Sequence, residues 1–264
     1  MEQELGTLPD FLIIGAQKSG TSSLYAYLIQ HPGVRPATKK EVHYFDARYS
    51  YRSVDWYRSF FPVSNPDLSP AGSGATHQLA GEATPYYMFH PCVPRRVAAT
   101  LPDVKLLAIL RNPVDRAYSH YHMAVRARRE TLSFEDAIEA EAERLDGEVE
   151  RLLADDRYRS RVHCFNSYLA RGLYVDQLVR WATFFARERM LILTAADLRA
   201  APAGTVRKAL DFLELPHSEF DFAESYNTRQ YPHLNPATRD RLSKYFEPHN
   251  RRLYDFLGVD FGWR

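Results

Sequence analysis

Lys18, Glu41, His43 and Arg111 are the side chains whose type and setting could do chemistry. Gly15-Ala16-Gln17-Lys18-Ser19-Gly20-Thr21-Ser22 places a lysine and three hydroxyls between and beside two glycines five positions apart. Glycines let backbone N–H groups approach an anion closely, and a helix opening at the second glycine would add its positive end. The stretch is close to a Walker A loop, but Thr21 stands where that loop carries its lysine, and the cation comes earlier, at Lys18. The expected ligand is a nucleotide phosphate, without ordinary ATP or GTP hydrolysis. The alternative is a glycine-rich turn with a solvated lysine.

Thr38-Lys39-Lys40-Glu41-Val42-His43-Tyr44-Phe45-Asp46 packs two lysines, a carboxylate and an imidazole beside aromatic residues. In an extended segment Glu41 and His43 share a face. They read either as a base held beside cations at the mouth of the nucleotide site, or as a surface turn with an exposed ion pair. Arg111 follows the apolar run Val104–Leu110, where many nucleotide-hydrolysing α/β proteins place a metal-binding aspartate. A guanidinium there grips phosphate bidentately, and Ser119, about two helical turns further on, could reach the same ligand. The alternative is that Arg111 pairs with Asp103 or Asp115.

The elements that must position these groups follow from periodicity. Phe11–Ile14, Val104–Leu110 and Met190–Thr194 are short apolar runs that read as buried parallel strands, and Leu79–Tyr87 as a further short strand. Leu24, Tyr27 and Leu28 mark a helix stopped by His31-Pro32-Gly33. Asp55–Phe61, Pro94–Leu101 and the segment after Pro113 are further helices. Ser133-Phe134-Glu135-Asp136 resembles a capping box, with Phe134, Ile138 and Leu145 on the face behind it. Tyr174, Leu178, Trp181 and Phe185 define an amphipathic helix, and Val206, Leu210 and Leu213 another. After a polar loop at Tyr226–Arg229, Leu242, Tyr245, Phe246, Leu253, Phe256 and Leu257 mark one or two closing helices. Strands alternating with helices predict an α/β fold of three layers, with a central, mainly parallel sheet. Ser64–Ala75 is expected to be a loop, and Glu139–Arg159, dense in both signs, a solvated face or lid.

The 264 residues are 45% apolar and 25% charged with a net charge of +1, so no global field favours nucleic acid or an anionic membrane. Cys92 and Cys164 have no metal-ligand spacing. Met1–Asp10 is polar with no signal-peptide pattern, and no run approaches the roughly 20 apolar residues that span a bilayer. A cytoplasmic protein in a reducing compartment is expected.

These residues resemble the sulfotransferases that use 3′-phosphoadenosine 5′-phosphosulfate (PAPS), above all the heparan sulfate N- and 3-O-sulfotransferases and their bacterial relatives. Phe11–Asp46, with the Gly15–Thr21 loop and Lys40–Asp46, is similar to the family's 5′-phosphosulfate loop and catalytic segment. Leu106–Tyr121, with Arg111-Asn112-Pro113 and Ser119, is similar to its 3′-phosphate segment. Gly172–Phe185 and Tyr245–Trp263 resemble further signatures. The resemblance covers nearly the whole chain. It implies a single P-loop-containing sulfotransferase domain over 1–264, with 125–170 a helical lid or acceptor-side insertion.

The resemblance also implies roles. Lys18 would stabilise the leaving phosphate oxygen, with Ser19, Gly20, Thr21 and Ser22 cradling the 5′-phosphate. Arg111, Ser119 and Arg229 would hold the 3′-phosphate. Glu41 would be the general base, and His43 would assist it or bind acceptor. No metal is required, and the product is adenosine 3′,5′-bisphosphate. Ala83 stands where the heparan enzymes carry a lysine, and Asn227-Thr228-Arg229 keeps only the arginine of a late Lys-Gly-Arg loop. These departures favour a bacterial-type enzyme acting on another glycan, a glycolipid or a small metabolite, with acceptor choice assigned to loops around Ala47–Ala75 and Arg126–Tyr168. The rival readings are a P-loop small-molecule kinase and a non-catalytic nucleotide-binding module.

Overall fold

The computed structural model describes residues 5–63, 78–222 and 231–263. The chain folds into two compact units. The first comprises Met1–Leu110 and Phe184–Thr228, and the second Arg111–Thr183 and Arg229–Arg264. The loop expected at Ser64–Ala75 and the polar loop at Tyr226–Arg229 lie outside the described residues.

The first unit is built on a five-stranded sheet of β1 (Phe11–Gly15), β2 (Val34–Pro36), β3 (Leu79–Ala83), β4 (Lys105–Leu110) and β5 (Met190–Thr194), in the order β2-β3-β1-β4-β5. Every pairing is parallel. Both faces of such a sheet must be covered, which is why its strands are continuous apolar runs rather than alternating ones. Leu12, Ile14 and Leu106 face one way and Phe11, Ile13 and Leu107 the other, and all are buried.

Around the sheet lie α1 (Thr21–Leu28), a π-helical segment at Tyr44–Arg48, α2 (Val54–Arg58) and α3 (Val93–Thr100). The second unit carries α4 (Pro113–Arg126), α5 (Phe134–Glu139), α6 (Glu141–Leu145), α7 (Glu148–Ala154), α8 (Arg161–Phe165) and α9 (Tyr174–Ala182). The first unit resumes with α10 (Ala195–Ala200) and α11 (Pro202–Leu213), and α12 (Pro236–Leu257) closes the second. Leu24 and Leu28 of α1, Leu198 of α10, and Val206, Leu210 and Leu213 of α11 pack with Phe11, Ile13, Leu107 and Ile109 as one core.

The strand order turns around on β1: the chain steps through β2 and β3 on one side, then crosses to β4 and β5 on the other. In open α/β sheets ligands bind beyond the carboxyl ends of the strands at such a reversal. The Gly15–Ser22 loop leaves the sheet there. A cavity of about 310 Å³ lies at the other end, among Pro9, Asp10, Thr100, Asp103 and Lys105. No residue singled out for chemistry lines it.

In the second unit, Val114, Ala117, Phe134, Ile138, Tyr168, Leu242 and Phe246 form the core. Ser133 caps α5 as expected, its Oγ accepting from the Asp136 N–H at 3.1 Å. The charged stretch beyond departs from a simple solvated face. Glu141 is buried and accepts from the N–H groups of Leu169 and Ala170 at 2.6 and 2.8 Å. Glu148, also buried, accepts from Tyr158 Oη at 2.8 Å and pairs with Arg151 at 3.1 Å. Just ahead of that stretch, buried Glu130 pairs with Arg144 at 2.6 Å and accepts from Tyr168 Oη at 2.9 Å. A buried carboxylate is tolerated when its lone pairs are satisfied in this way. These acids pin the turns between short helices.

Candidate active site

The phosphate loop owes its shape to burial on one side and backbone freedom on the other. Gly15 must be a glycine, because a Cβ there would lie 2.6 Å from the Cβ of Met88. Lys18 and Gly20 take left-handed φ values of 71° and 107°. This conformation is ordinary for glycine and costly for lysine, and such strain gathers at functional sites. Gly20 hands directly into α1, where no side chain among the described residues caps the helix. The first-turn N–H groups of a helix are unsatisfied unless capped, and with the helix dipole they form an anion site. Buried Ser19 Oγ has no hydrogen-bond partner among the described residues. Uncapped amides, an orphaned hydroxyl and Lys18 are a donor set that fits a phosphate.

A second chain of polar groups starts on the same helix. Lys40 Nζ donates to Ser22 Oγ at 2.9 Å and to Glu41 Oε1 at 3.0 Å. His43 Nε2 stands 3.5 Å from Glu41 Oε2, and its Nδ1 is 2.8 Å from Oδ2 of buried Asp46. The expectation of an extended segment fails here: Glu41 and His43 both adopt left-handed backbone, with φ of 61° and 57°. Their side chains meet because of that double turn, not because of strand alternation. With Lys18, these two make three of the five non-glycine residues at positive φ among the described residues.

The electrostatics follow from the contacts. Burial alone would raise the Glu41 carboxyl, but the hydrogen bond from His43 and the charge of Lys40 outweigh it and hold the group down to about 2. Burial opposes the His43 charge, but the hydrogen bonds and negative charges of Asp46 and Glu41 push it up to about 10. The stabilisation from His43 is therefore complete below its ordinary 6.5 and is lost as pH rises through about 10. That from Glu41 is present above its ordinary 4.5 and lost as pH falls through about 2. We expect the melting temperature of the wild type to exceed that of His43→Asn at pH 6, and the gap to close as pH climbs toward 10. Asparagine tolerates the left-handed backbone. A gap that stays constant across the range would show that the imidazolium is not the stabilising form.

Sequence reasoning missed what holds this loop. Glu82, on β3, is fully buried and accepts four hydrogen bonds: from Val42 N–H at 3.1 Å, Tyr57 Oη at 2.7 Å, Thr84 Oγ1 at 2.7 Å and Tyr87 Oη at 3.0 Å. Burial raises its carboxyl above the usual range, against the hydrogen bonds that lower it. Tyr87 Oη in turn accepts from Tyr44 N–H at 3.0 Å. The amide between Glu41 and His43, and the one after His43, are thus tied to β3. The available signal was a lone carboxylate in an otherwise apolar strand.

The segment read as a second phosphate motif, Arg111 to Ser119, belongs to the other unit. Asn112 Oδ1 caps α4 by accepting from Val114 N–H at 3.0 Å, and Pro113 occupies the first turn. The Arg111 carbonyl accepts from Tyr174 Oη at 2.8 Å, which fixes the backbone at this entry. Ser119 is buried on α4. The two acids considered as partners for Arg111 also pair with other arginines: Asp115 with Arg239 at 2.7 Å, and Asp103 with Arg189 at 3.2 Å. Arg229 lies outside the described residues. No group of three or more His, Cys, Asp or Glu that could hold a metal occurs among the described residues.

An all-parallel sheet with a glycine-rich turn between β1 and α1 defines an α/β protein of the phosphate-loop type. Comparison with known proteins supplies the family. The sulfotransferase domain matches residues 8–244. Heparan sulfate glucosamine 3-O-sulfotransferase 6 of Homo sapiens is 31% identical, over 97% of this chain and 73% of that protein. The membrane-associated sulfotransferase kil1 of Dictyostelium discoideum is 27% identical, over 100% of this chain and 68% of that protein. The human bifunctional heparan sulfate N-deacetylase/N-sulfotransferase 3 is 30% identical, but the chain spans only 30% of its length. The crystal structure of a sulfotransferase from Alicyclobacillus acidocaldarius superposes with a TM-score of 0.76 at 31% identity, covering 98% of this chain and 99% of that one. The chain therefore belongs to the sulfotransferase family and is a transferase of that class. Among the described residues no helix is long and apolar enough to cross a membrane.

Proposed function

We propose that the chain transfers the sulfuryl group of PAPS to an acceptor hydroxyl by in-line displacement, with Glu41 as general base. The observation that carries this reading is the contact of Lys40 with both Ser22 and Glu41, at 2.9 and 3.0 Å. It sets a carboxylate one side chain away from the helix end that would cradle the 5′-phosphosulfate. Lys18 and the first-turn amides of α1 would neutralise the charge that gathers on the leaving oxygen, a positioning and electrostatic task like that in phosphoryl transfer. Glu41 would take the acceptor proton, and His43, oriented by Asp46, would hold the carboxylate in place. Arg111 and Ser119 would bind the 3′-phosphate, joined by Arg229. The chain would work as one sulfotransferase domain, with residues 125–170 on the acceptor side. A glycan hydroxyl is the acceptor class the relatives' names favour, with glycolipids and small metabolites next.

Incubation with PAPS and a panel of glycan, glycolipid and small-molecule acceptors, read by mass, tests this. The expected result is an acceptor heavier by one sulfuryl group, formed equally well in excess chelator. The expectation of metal independence rests on Arg111 following β4 where a metal-binding carboxylate would otherwise stand. An absolute Mg²⁺ requirement with phosphoryl transfer from ATP would overturn the reading in favour of a kinase.

A further inference from the structure

Glu41 is ionised in this structure but weakly basic, because Lys40 and His43 both hold its charge. A general base works best when its basicity is nearer the working pH. Something must loosen that hold when the donor is in place, and Lys40 is the group situated to do so. Its ammonium touches Ser22 on the helix that would receive the phosphosulfate, and Glu41 on the side from which the acceptor would attack. The neighbouring Lys39 is exposed. An ammonium has three N–H donors, and the contacts to Ser22 and Glu41 use two of them.

Resting on the donor and base roles given above, we propose that Lys40 is a sulfuryl-binding residue: it pairs with Glu41 in the donor-free enzyme and turns to the sulfuryl oxygens when PAPS binds, releasing one of the two groups that hold the charge of the base. In the step it serves, the sulfur–oxygen bond to the 5′-phosphate breaks and its electron pair stays on the phosphate oxygen. The new sulfur–oxygen bond forms to the acceptor oxygen, whose proton passes to Glu41. Lys40 holds the oxygens of the moving group throughout and neither gains nor loses a proton. Its ion pair with Glu41 is partly exposed, with side-chain exposures of 32% and 41%, so exchanging one anionic partner for another is inexpensive.

The geometry makes Lys40 sensitive to the one group that distinguishes PAPS from adenosine 3′,5′-bisphosphate. Calorimetric titration with each nucleotide, in the absence of acceptor, reads this directly. Lys40→Met should weaken PAPS about tenfold or more while leaving the bisphosphate nearly unchanged, and Lys40→Arg should recover part of the loss. Glu41→Gln replaces the competing carboxylate with a weaker, neutral acceptor, so it should tighten PAPS severalfold without affecting the bisphosphate. That gain should vanish when Lys40→Met is already present. Lys39→Met should leave both affinities at the wild-type level. If Lys40→Met changes the two nucleotides equally, or changes neither, Lys40 does not bind the sulfuryl group and the inference is overturned. If Glu41→Gln instead keeps its turnover rate, the general-base role fails, while the contrast between the two nucleotides still decides the assignment of Lys40. Thermal melts of each variant report folding, since replacing an exposed ion-pair member is expected to leave the melting temperature close to that of the wild type.

Discussion

Wild-type protein is expected to bind adenosine 3′,5′-bisphosphate about 10²–10⁴ times more tightly than AMP, and Arg111→Ala should erase most of that difference. Arg111 follows β4, whose last residue, Leu110, is fully buried. Its partner should therefore be an anion held partly out of water. Hydrogen bonds to charged groups contribute roughly 1.5–3 kcal/mol each. Two of them give about 3–6 kcal/mol, which is the stated range of affinity. The backbone at the site is held by the Tyr174 hydroxyl and the Asn112 cap, so loss of the Arg111 side chain should leave α4 intact. Calorimetric titration of both nucleotides against both proteins is the measurement. Equal binding of the two by the wild type, or an unchanged ratio in Arg111→Ala, would mean that this segment does not read the 3′-phosphate.

The parts of the fold that could be read in advance are those set by burial over short runs. β1, β4 and β5 are apolar on both faces and bounded by turns, and Leu24, Leu28, Val206 and Leu210 repeat at helical spacing against them. β2 escaped notice because it is three residues of an edge strand, Val34-Arg35-Pro36. Its proline can stand only where no ladder donor is needed. The apolar spacing of the closing segment fits one helix or two, and Pro248 removes a hydrogen bond in mid-course. It is one helix, Pro236–Leu257, whose face packs through Leu242, Phe246 and Leu253 on both sides of that proline.

The site divides along the same line. Lys18 and Arg111 could be picked out because their neighbours in sequence create the environment that makes them unusual. Asp46 and Glu82 could not, because their roles come from groups brought by folding: His43 for the first, and Val42, Tyr57, Thr84 and Tyr87 for the second. The left-handed backbone of Glu41 and His43 was equally hidden. Glutamate does not favour it and histidine adopts it only uncommonly, and it persists because buried hydrogen bonds around Glu82 and Tyr87 over-determine the loop.

Glu41→Gln should lower kcat by about 10²-fold or more while leaving affinity for adenosine 3′,5′-bisphosphate within a few-fold of the wild type. A positioned base contributes typically about 10²–10⁴ in rate, and the amide that replaces the carboxylate cannot take a proton. The substitution keeps the side-chain length, and its carbonyl oxygen can still accept from Lys40 or His43. Glu41 reaches the phosphate loop through Lys40, which itself donates to Ser22. The bisphosphate lacks the group being transferred, so its binding should not register the change. The rate and the affinity therefore report on different things, and the contrast between them is diagnostic. Single-turnover kinetics with saturating PAPS and acceptor, set beside a titration of the bisphosphate, provide both numbers. If rate and affinity fall together, Glu41 is a structural member of the Lys40–His43–Asp46 chain and the proton goes elsewhere. If the rate alone falls, the carboxylate acts in the chemical step.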